Sequence, residues 1–163
     1  MQKETKTNAM RMLERAGVPY APVYYDLGEE EFSGEAVSAL TGIPPEQSFK
    51  TLCARGERRG VLVFVIPVSG ELDLKEAAVA AGDKRVELIH VKELLSLTGY
   101  VRGGVSPVGM KKQYPTYIDE QALLFETIAI SGGQKGCTML VSPKLLLSLL
   151  GASTAPLLRQ EHS

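Results

Sequence analysis

The chain is poor in the side chains that most small enzymes use. Its 163 residues include two histidines and two cysteines. His162 falls in an expected tail and His90 at the start of an expected short helix. Neither forms a histidine–nucleophile pair, which the Ser–His and Cys–His routes both require. Cys53 and Cys137 are too few for a disulfide framework and lack metal-ligand spacing, so they read as buried free thiols. No cluster of His, Cys and carboxylate has ligand spacing, and there is neither a Walker A loop nor a dinucleotide fingerprint. No metal and no cofactor is therefore expected. The net charge of −1 gives no basic excess of the kind that grips long stretches of nucleic acid. The short basic clusters, such as Arg58-Arg59 and Lys111-Lys112, read as solvated turns. No apolar run is long enough to span a membrane, and the start lacks a signal peptide's apolar region. This predicts a cytoplasmic protein with no membrane partner.

What is present is ordinary globular composition, 44 % apolar and 23 % charged, enough for one domain that folds unaided. Periodicity and turn residues predict helices over Thr7–Ala16, Ser33–Leu40, Leu72–Ala81, Val91–Leu97 and Pro143–Leu150. Strands are predicted over Tyr20–Tyr25, with Pro22 marking an edge, Ser48–Ala54, Val61–Val68, Val86–Ile89, Thr127–Ser131 and Cys137–Val141. Val61–Val68 is apolar on both faces and reads as a central strand. Residues 99–115 show no period and read as a long functional loop. The pattern is α/β (α+β) without regular βαβ alternation, which implies a mixed, barrel-like sheet flanked by helices. The domain is expected over 1–151, followed by a flexible C-terminal tail over 152–163.

Lys50 is the chemically odd residue, a cation inside the apolar segment Phe49-Lys50-Thr51-Leu52-Cys53-Ala54. It either snorkels to water from a strand end or lines a site, and the segment alone leaves this open. The loop Gly99-Tyr100-Val101-Arg102-Gly103-Gly104-Val105-Ser106-Pro107 offers backbone N–H groups around Gly103 and Gly104 for a developing oxyanion. Ser131 adds a hydroxyl, and Tyr20 and Phe32 can wall a base or a small side chain. Residue chemistry stops at a small α/β domain with an anion- or carbonyl-binding cleft.

The same residues carry a family resemblance. Phe49-Lys50-Thr51-Leu52, Pro67-Val68 with Glu71-Leu72-Asp73-Leu74-Lys75, Gly99-Tyr100-Val101, Gly103-Gly104-Val105-Ser106-Pro107-Val108-Gly109, Lys111-Lys112, Pro115-Thr116-Tyr117-Ile118-Asp119 and Ser131-Gly132-Gly133 occur in order. From Thr7 to about Leu150 the chain resembles the YbaK/EbsC group of aminoacyl-tRNA deacylases, relatives of the editing domain of bacterial-type prolyl-tRNA synthetases. The resemblance implies hydrolytic clearance of cysteine from Cys-tRNA(Pro). Lys50 then contacts the terminal adenosine or ester region, and the loop from Gly103 through Gly104 and Ser106 to Pro107 holds the acylated end. Tyr20, Phe32, Thr51, Tyr100 and Ser131 match other pocket positions.

The resemblance also implies that the substrate's own thiol attacks its ester carbonyl, so that Lys50, Gly103 and Ser131 position and stabilise without supplying a nucleophile. The partners it implies are the acylated 3′ end of a tRNA and, in addition, prolyl-tRNA synthetase; the oligomeric state is not implied. One departure stands out. Relatives commonly carry an aspartate where this chain has Thr138, and that role is not transferred. A deacylase for another small amino acid such as alanine, or a non-catalytic module binding an aminoacyl-tRNA or nucleotide, are the alternatives.

Overall fold

The computed structural model describes residues 6–28 and 33–160. Helix α1 (Asn8–Ala16) is capped by the Thr7 hydroxyl, which accepts the Met10 N–H at 3.2 Å. It is followed by strand β1 (Tyr20–Tyr24) and helix α2 (Gly34–Thr41), which Ser33 caps through the Ala36 N–H. Strands β2 (Phe49–Gly56) and β3 (Gly60–Pro67) form a hairpin, and Asp73 caps helix α3 (Leu74–Ala81). Next come β4 (Val86–Leu88), a 3₁₀ turn over Val91–Glu93 and the short α4 (Leu94–Thr98). After the long loop the chain forms β5 (Thr116–Asp119), a 3₁₀ segment (Glu120–Leu124), β6 (Ile128–Ser131), β7 (Cys137–Val141), α5 (Pro143–Leu150) and β8 (Ser153–Ala155).

Five strands form one sheet in the order β4-β2-β3-β5-β8, and three form another in the order β1-β7-β6. Strand β3 is central in the larger sheet, as its unbroken apolar run predicts. Its Leu62, Phe64 and Ile66 pack toward the alanine-rich α3, where Ala77 and Ala81 let the helix approach closely. Its Val63 and Val65 face the opposite core, shared with Leu13 of α1, Ile128, Ile130 and Met139 of the smaller sheet, and Leu146 of α5. Each of these fully buried aliphatic or aromatic side chains contributes about 1.5–3 kcal/mol relative to exposure. Pro22 lies in β1, an edge strand, where its missing N–H costs no ladder bond.

The sheets do not close into the expected barrel. Among the described residues their only backbone bridge is Ser48 to Ala129, with the Ala129 N–H donating to the Gln47 carbonyl at 3.0 Å. On the same side of β2, β4 pairs only with Ala54 to Gly56. Between these two attachments the outer side of β2 has no strand paired to it among the described residues, because β6 and β4 approach it from opposite ends without meeting.

The expected C-terminal tail is also corrected over its described part. Residues Ser153–Ala155 extend the large sheet as β8, parallel to β5. The Leu157 N–H donates to the buried Asp119 carboxylate at 2.9 Å, and the Leu157 side chain is completely buried. Gly151 ends α5 with φ of 61°, and the chain turns back onto the sheet.

Candidate active site

The break along β2 forms the floor of a cleft of about 470 Å³. Backbone groups alternate sides along a strand. The Gln47, Cys53 and Glu57 positions all bond outward: Gln47 O accepts from Ala129, Cys53 O from Ile89, and the Glu57 N–H donates to Arg85. Thr51 shares their parity, so its N–H and C=O face the break, where no strand lies beside it among the described residues. Its Oγ1 is buried with no hydrogen-bond partner among those residues. Leaving such an atom unmatched costs about 1–3 kcal/mol, so a polar group entering the cleft gains a bond at low cost to the protein.

Lys50 and Arg102 are the cations of the cleft lining, and no carboxylate or imidazole lines it among the described residues. Lys50 is half-buried, and its side chain makes no hydrogen bond or ion pair with described residues. Its β2 position pairs with Ile66, so strand geometry and not a side-chain contact fixes its base. The rest of the wall is mainly apolar, with Phe49, Val68, Leu88 and Leu94 from four different segments. Low-polarity walls strengthen the field of the two cations on any bound anion.

The loop after α4 contributes Gly103 and Val105 to the wall. Thr98 Oγ1 accepts the Tyr100 N–H at 3.0 Å, and Tyr100 Oη donates to the Val108 carbonyl at 2.6 Å. Ser106 Oγ accepts the Val108 N–H at 3.2 Å. These bonds fix a loop that has no regular structure. Gly103 has φ of 92°, which other residues adopt only with strain. At Gly104 a Cβ would lie 2.8 Å from the Gln134 backbone, so two loops touch there through glycine alone. The Gly104 N–H is committed to Val101 O at 2.8 Å. The expected oxyanion donors are therefore corrected: Gly103 and Val105, not Gly104, carry amides that bond to no described residue.

Ser131 and Thr138 stand opposite each other on β6 and β7, and both line the cleft. Ser131 Oγ accepts the Gly133 N–H at 3.1 Å, which leaves its own proton to give. Thr138 Oγ1 donates to the Ile130 carbonyl at 2.8 Å. The Cys53 thiol, also in the lining, is pushed up to about 11 by burial, so it is uncharged near neutrality and a poor nucleophile.

Of the residues expected at the site, Lys50, Thr51, Gly103 and Ser131 line one cleft. Tyr100, Gly104, Ser106 and Pro107 are buried behind it and support the loop. Tyr20 is not in the lining; its hydroxyl donates to Glu14 on α1 at 2.5 Å, and burial followed by that bond raises its pKa to about 12. Phe32 lies outside the described residues. Sequence reasoning missed Tyr25, Cys53, Arg102 and the α2 residues Gly34 and Val37. Arg102 had a signal, as the one cation inside the glycine loop; the α2 residues had none, because helix periodicity says nothing about which cleft a helix borders.

A mixed two-sheet domain with a cationic, carboxylate-free cleft at a sheet break defines a binder of an anionic or ester-bearing group. Residues 29–149 match the model of the aminoacyl-tRNA editing domain, and the chain belongs to that family. It is 44 % identical over 158 residues to an Enterococcus faecalis protein provisionally named Cys-tRNA(Pro)/Cys-tRNA(Cys) deacylase EbsC, covering 97 % of this chain and 96 % of that one. A crystal structure described, again provisionally, as a trans-editing enzyme for prolyl tRNA synthetase superposes with a TM-score of 0.82 at 28 % identity, covering 96 % of this chain and all (100 %) of the other. A hypothetical protein 24 % identical, with a TM-score of 0.84 over 94 % of this chain and 100 % of its own, shares the fold. Among the described residues no helix is long and apolar enough to cross a membrane.

Proposed function

We propose that this chain is a trans-editing deacylase that removes cysteine from mischarged Cys-tRNA(Pro), with the substrate's thiol as nucleophile. The observation that carries this reading is the cleft lining: two cations, the Gly103 and Val105 amides and a serine hydroxyl, with no imidazole or carboxylate among the described residues and with the Cys53 thiol held neutral by burial. Such a lining can hold and polarise an ester but offers no imidazole or carboxylate to act as general base for a protein nucleophile. The name of the Enterococcus faecalis relative supports the cysteine substrate.

In this mechanism Lys50 attracts the phosphate or ribose of the terminal adenosine. The Gly103 and Val105 amides and the Ser131 hydroxyl take up charge developing on the ester oxygen. The sulfur of the bound cysteine forms a bond to its own carbonyl carbon, and the ester C–O bond breaks. The thiol proton ends on the departing ribose oxygen through solvent. The products are a free tRNA 3′ end and a cyclic thiolactone, which water then opens to cysteine. The protein's part is to align sulfur and carbonyl and to exclude water, which replaces an unlikely encounter by an intramolecular one.

The test is a deacylation panel with Cys-, Ser- and Ala-charged tRNA(Pro), using the wild type and Lys50→Ala. The reading expects Cys-tRNA(Pro) to be cleared and the substrates without sulfur to be spared. Discharge of Ala- or Ser-tRNA at the same rate would remove the thiol from the mechanism. Binding of a stable aminoacyl-adenosine analogue with no turnover on any member of the panel would make the chain a binding module. Prolyl-tRNA synthetase is the partner this reading admits, as the source of the mischarged tRNA.

A further inference from the structure

We propose that α1, the long loop and the β6–β7 turn together form a docking surface for the phosphate backbone of a tRNA acceptor stem, continuous with the cleft. The proposal rests on the reading of the substrate as a charged tRNA. A net charge of −1 hides a strong segregation. No Asp or Glu occurs from Leu94 to Ile118, nor from Thr127 to Gln160.

Contacts within the fold gather the cations of these acid-free stretches beside α1. Thr7 Oγ1 donates to the Gly132 carbonyl at 2.6 Å, which ties the start of α1 to the β6–β7 turn. A surface pocket is lined by Asn8, Arg11, Met12, Glu14 and Arg15 from α1 and by Gly109 and Met110 from the loop. Gly104 touches Gln134 of the turn, and the Lys111 side chain lies against Gly99.

The resulting face presents Arg11, Arg15, Arg102, Lys111, Lys112 and Lys135, all exposed and none paired with a carboxylate among the described residues. Its one acid on α1, Glu14, is held by Lys6 at 2.8 Å and takes the Tyr20 hydroxyl as well. Arg11 and Arg15 are one helical turn apart and so share a face of α1. Arg102 belongs both to this face and to the cleft lining, so the two surfaces meet at one side chain.

The hairpin end of the large sheet makes the comparison. It is just as rich in cations, with Arg55, Arg58, Arg59, Lys84 and Arg85, but Glu57, Asp83, Glu87 and Glu93 are interspersed among them. Asp83 accepts the backbone N–H groups of Arg58, Arg59 and Lys84, and Glu93 pairs with Arg55 at 3.2 Å. Charge at that end is balanced locally. Charge on the α1 face is not, and its form is a row of exposed point charges, which suits phosphates and carries no base-specific contact.

The test uses the full chain, an acceptor-stem minihelix ending in the charged 3′ end, and a short charged 3′ fragment with no duplex. Three double variants are compared with wild type: Arg11→Glu/Arg15→Glu, Lys111→Glu/Lys112→Glu, and Lys84→Glu/Arg85→Glu from the balanced end. A neutral pair, Arg11→Gln/Arg15→Gln, separates loss of a contact from repulsion, and thermal unfolding of each checks folding. The first two variants are expected to weaken minihelix binding about tenfold or more and to flatten its salt dependence by about 0.9 per lost contact. Turnover of the short fragment should match wild type, and the third variant should leave minihelix binding unchanged.

Wild-type minihelix affinity and salt slope in both α1-face variants would overturn the surface. An equal loss in the Lys84/Arg85 variant would overturn it too, since the attraction would then be unspecific. Wild-type protein that binds the minihelix through these residues but discharges no substrate leaves the surface standing and removes the deacylase reading instead.

Discussion

Ser131 and Thr138 are cross-strand partners whose hydroxyls are committed differently: Thr138 donates to Ile130 O, whereas Ser131 accepts from Gly133 and keeps its proton. Only Ser131 is thus free to donate into the cleft. Ser131→Ala is expected to lower kcat on Cys-tRNA(Pro) about 10²-fold, the loss typical of one oxyanion donor. Thr138→Val should keep activity within a few-fold and show its cost in stability. Single-turnover deacylation with a melting curve for each variant separates the two; equal loss of kcat in both would contradict the assignment.

The Lys50 side chain contributes no hydrogen bond or ion pair to described residues, so its removal should leave the fold intact. Lys50→Ala is expected to cut kcat/KM at least about 10²-fold while shifting unfolding by no more than about 0.5 kcal/mol. Denaturant unfolding beside steady-state kinetics gives both numbers. Turnover like that of wild type would take Lys50 out of the site.

The contact of Gly104 with the Gln134 backbone leaves no room for a methyl group. Gly104→Ala should cost about 1–3 kcal/mol, as overpacking does, and should lower activity by pushing the loop that carries Gly103 away from the β6–β7 turn that follows Ser131. An alanine variant with native stability and rate would show that the loops need not touch.

Burial raises the Cys53 thiol to about 11, above its ordinary 9. The folded chain therefore holds this proton more tightly than the unfolded chain does. The resulting stability is fully present below pH 9 and is lost as pH rises through 11, by about 1.4 kcal/mol per pH unit in between. Tyr100, raised by burial to about 12, extends the loss at higher pH. Urea midpoints measured from pH 8 to 11 should fall in wild type and fall less in Cys53→Ala. That variant should also retain deacylation, since the Cys53 thiol is not the nucleophile.

Leu157, completely buried and tied to Asp119 through its N–H, makes the last residues part of the fold. Leu157→Ala should cost about 2–5 kcal/mol, readable by denaturant unfolding, and a chain ending at 151 should be insoluble or unfolded. A stable, active truncation would restore the reading of this segment as a tail.

What was legible in the chain followed local rules. Thr7, Ser33 and Asp73 cap helices whose ends Gly17, Gly42 and Gly82 mark with positive φ. Strand β3 announced itself as an apolar run. Strand β5 did not, because its four residues are all buried and so show no alternation. Strand β8 is three residues held by a parallel neighbour and by Asp119, a partner 38 positions from Leu157 in sequence. The site was legible only as a set of residue types. Whether Tyr100 or Ser106 faces a ligand or a backbone carbonyl depends on loop packing, which no periodicity encodes. The break beside Thr51 arises from where β4 and β6 stop, a property of the sheet and not of any segment.

That break has a further consequence. An unpaired strand edge usually invites another chain to add itself, with aggregation as the result. Here the open stretch is short, bounded by the ends of β4 and β6, and it shares its cleft with Gly103 and Val105 of the glycine loop. An incoming strand lies about 4.8 Å from its neighbour and needs several consecutive residues to pair with, and so short a stretch gives it no register. A single nucleotide or amino-acid ester needs no register. The molecule can thus keep hungry backbone groups on offer to a small guest without exposing a seam along which copies of itself would stick.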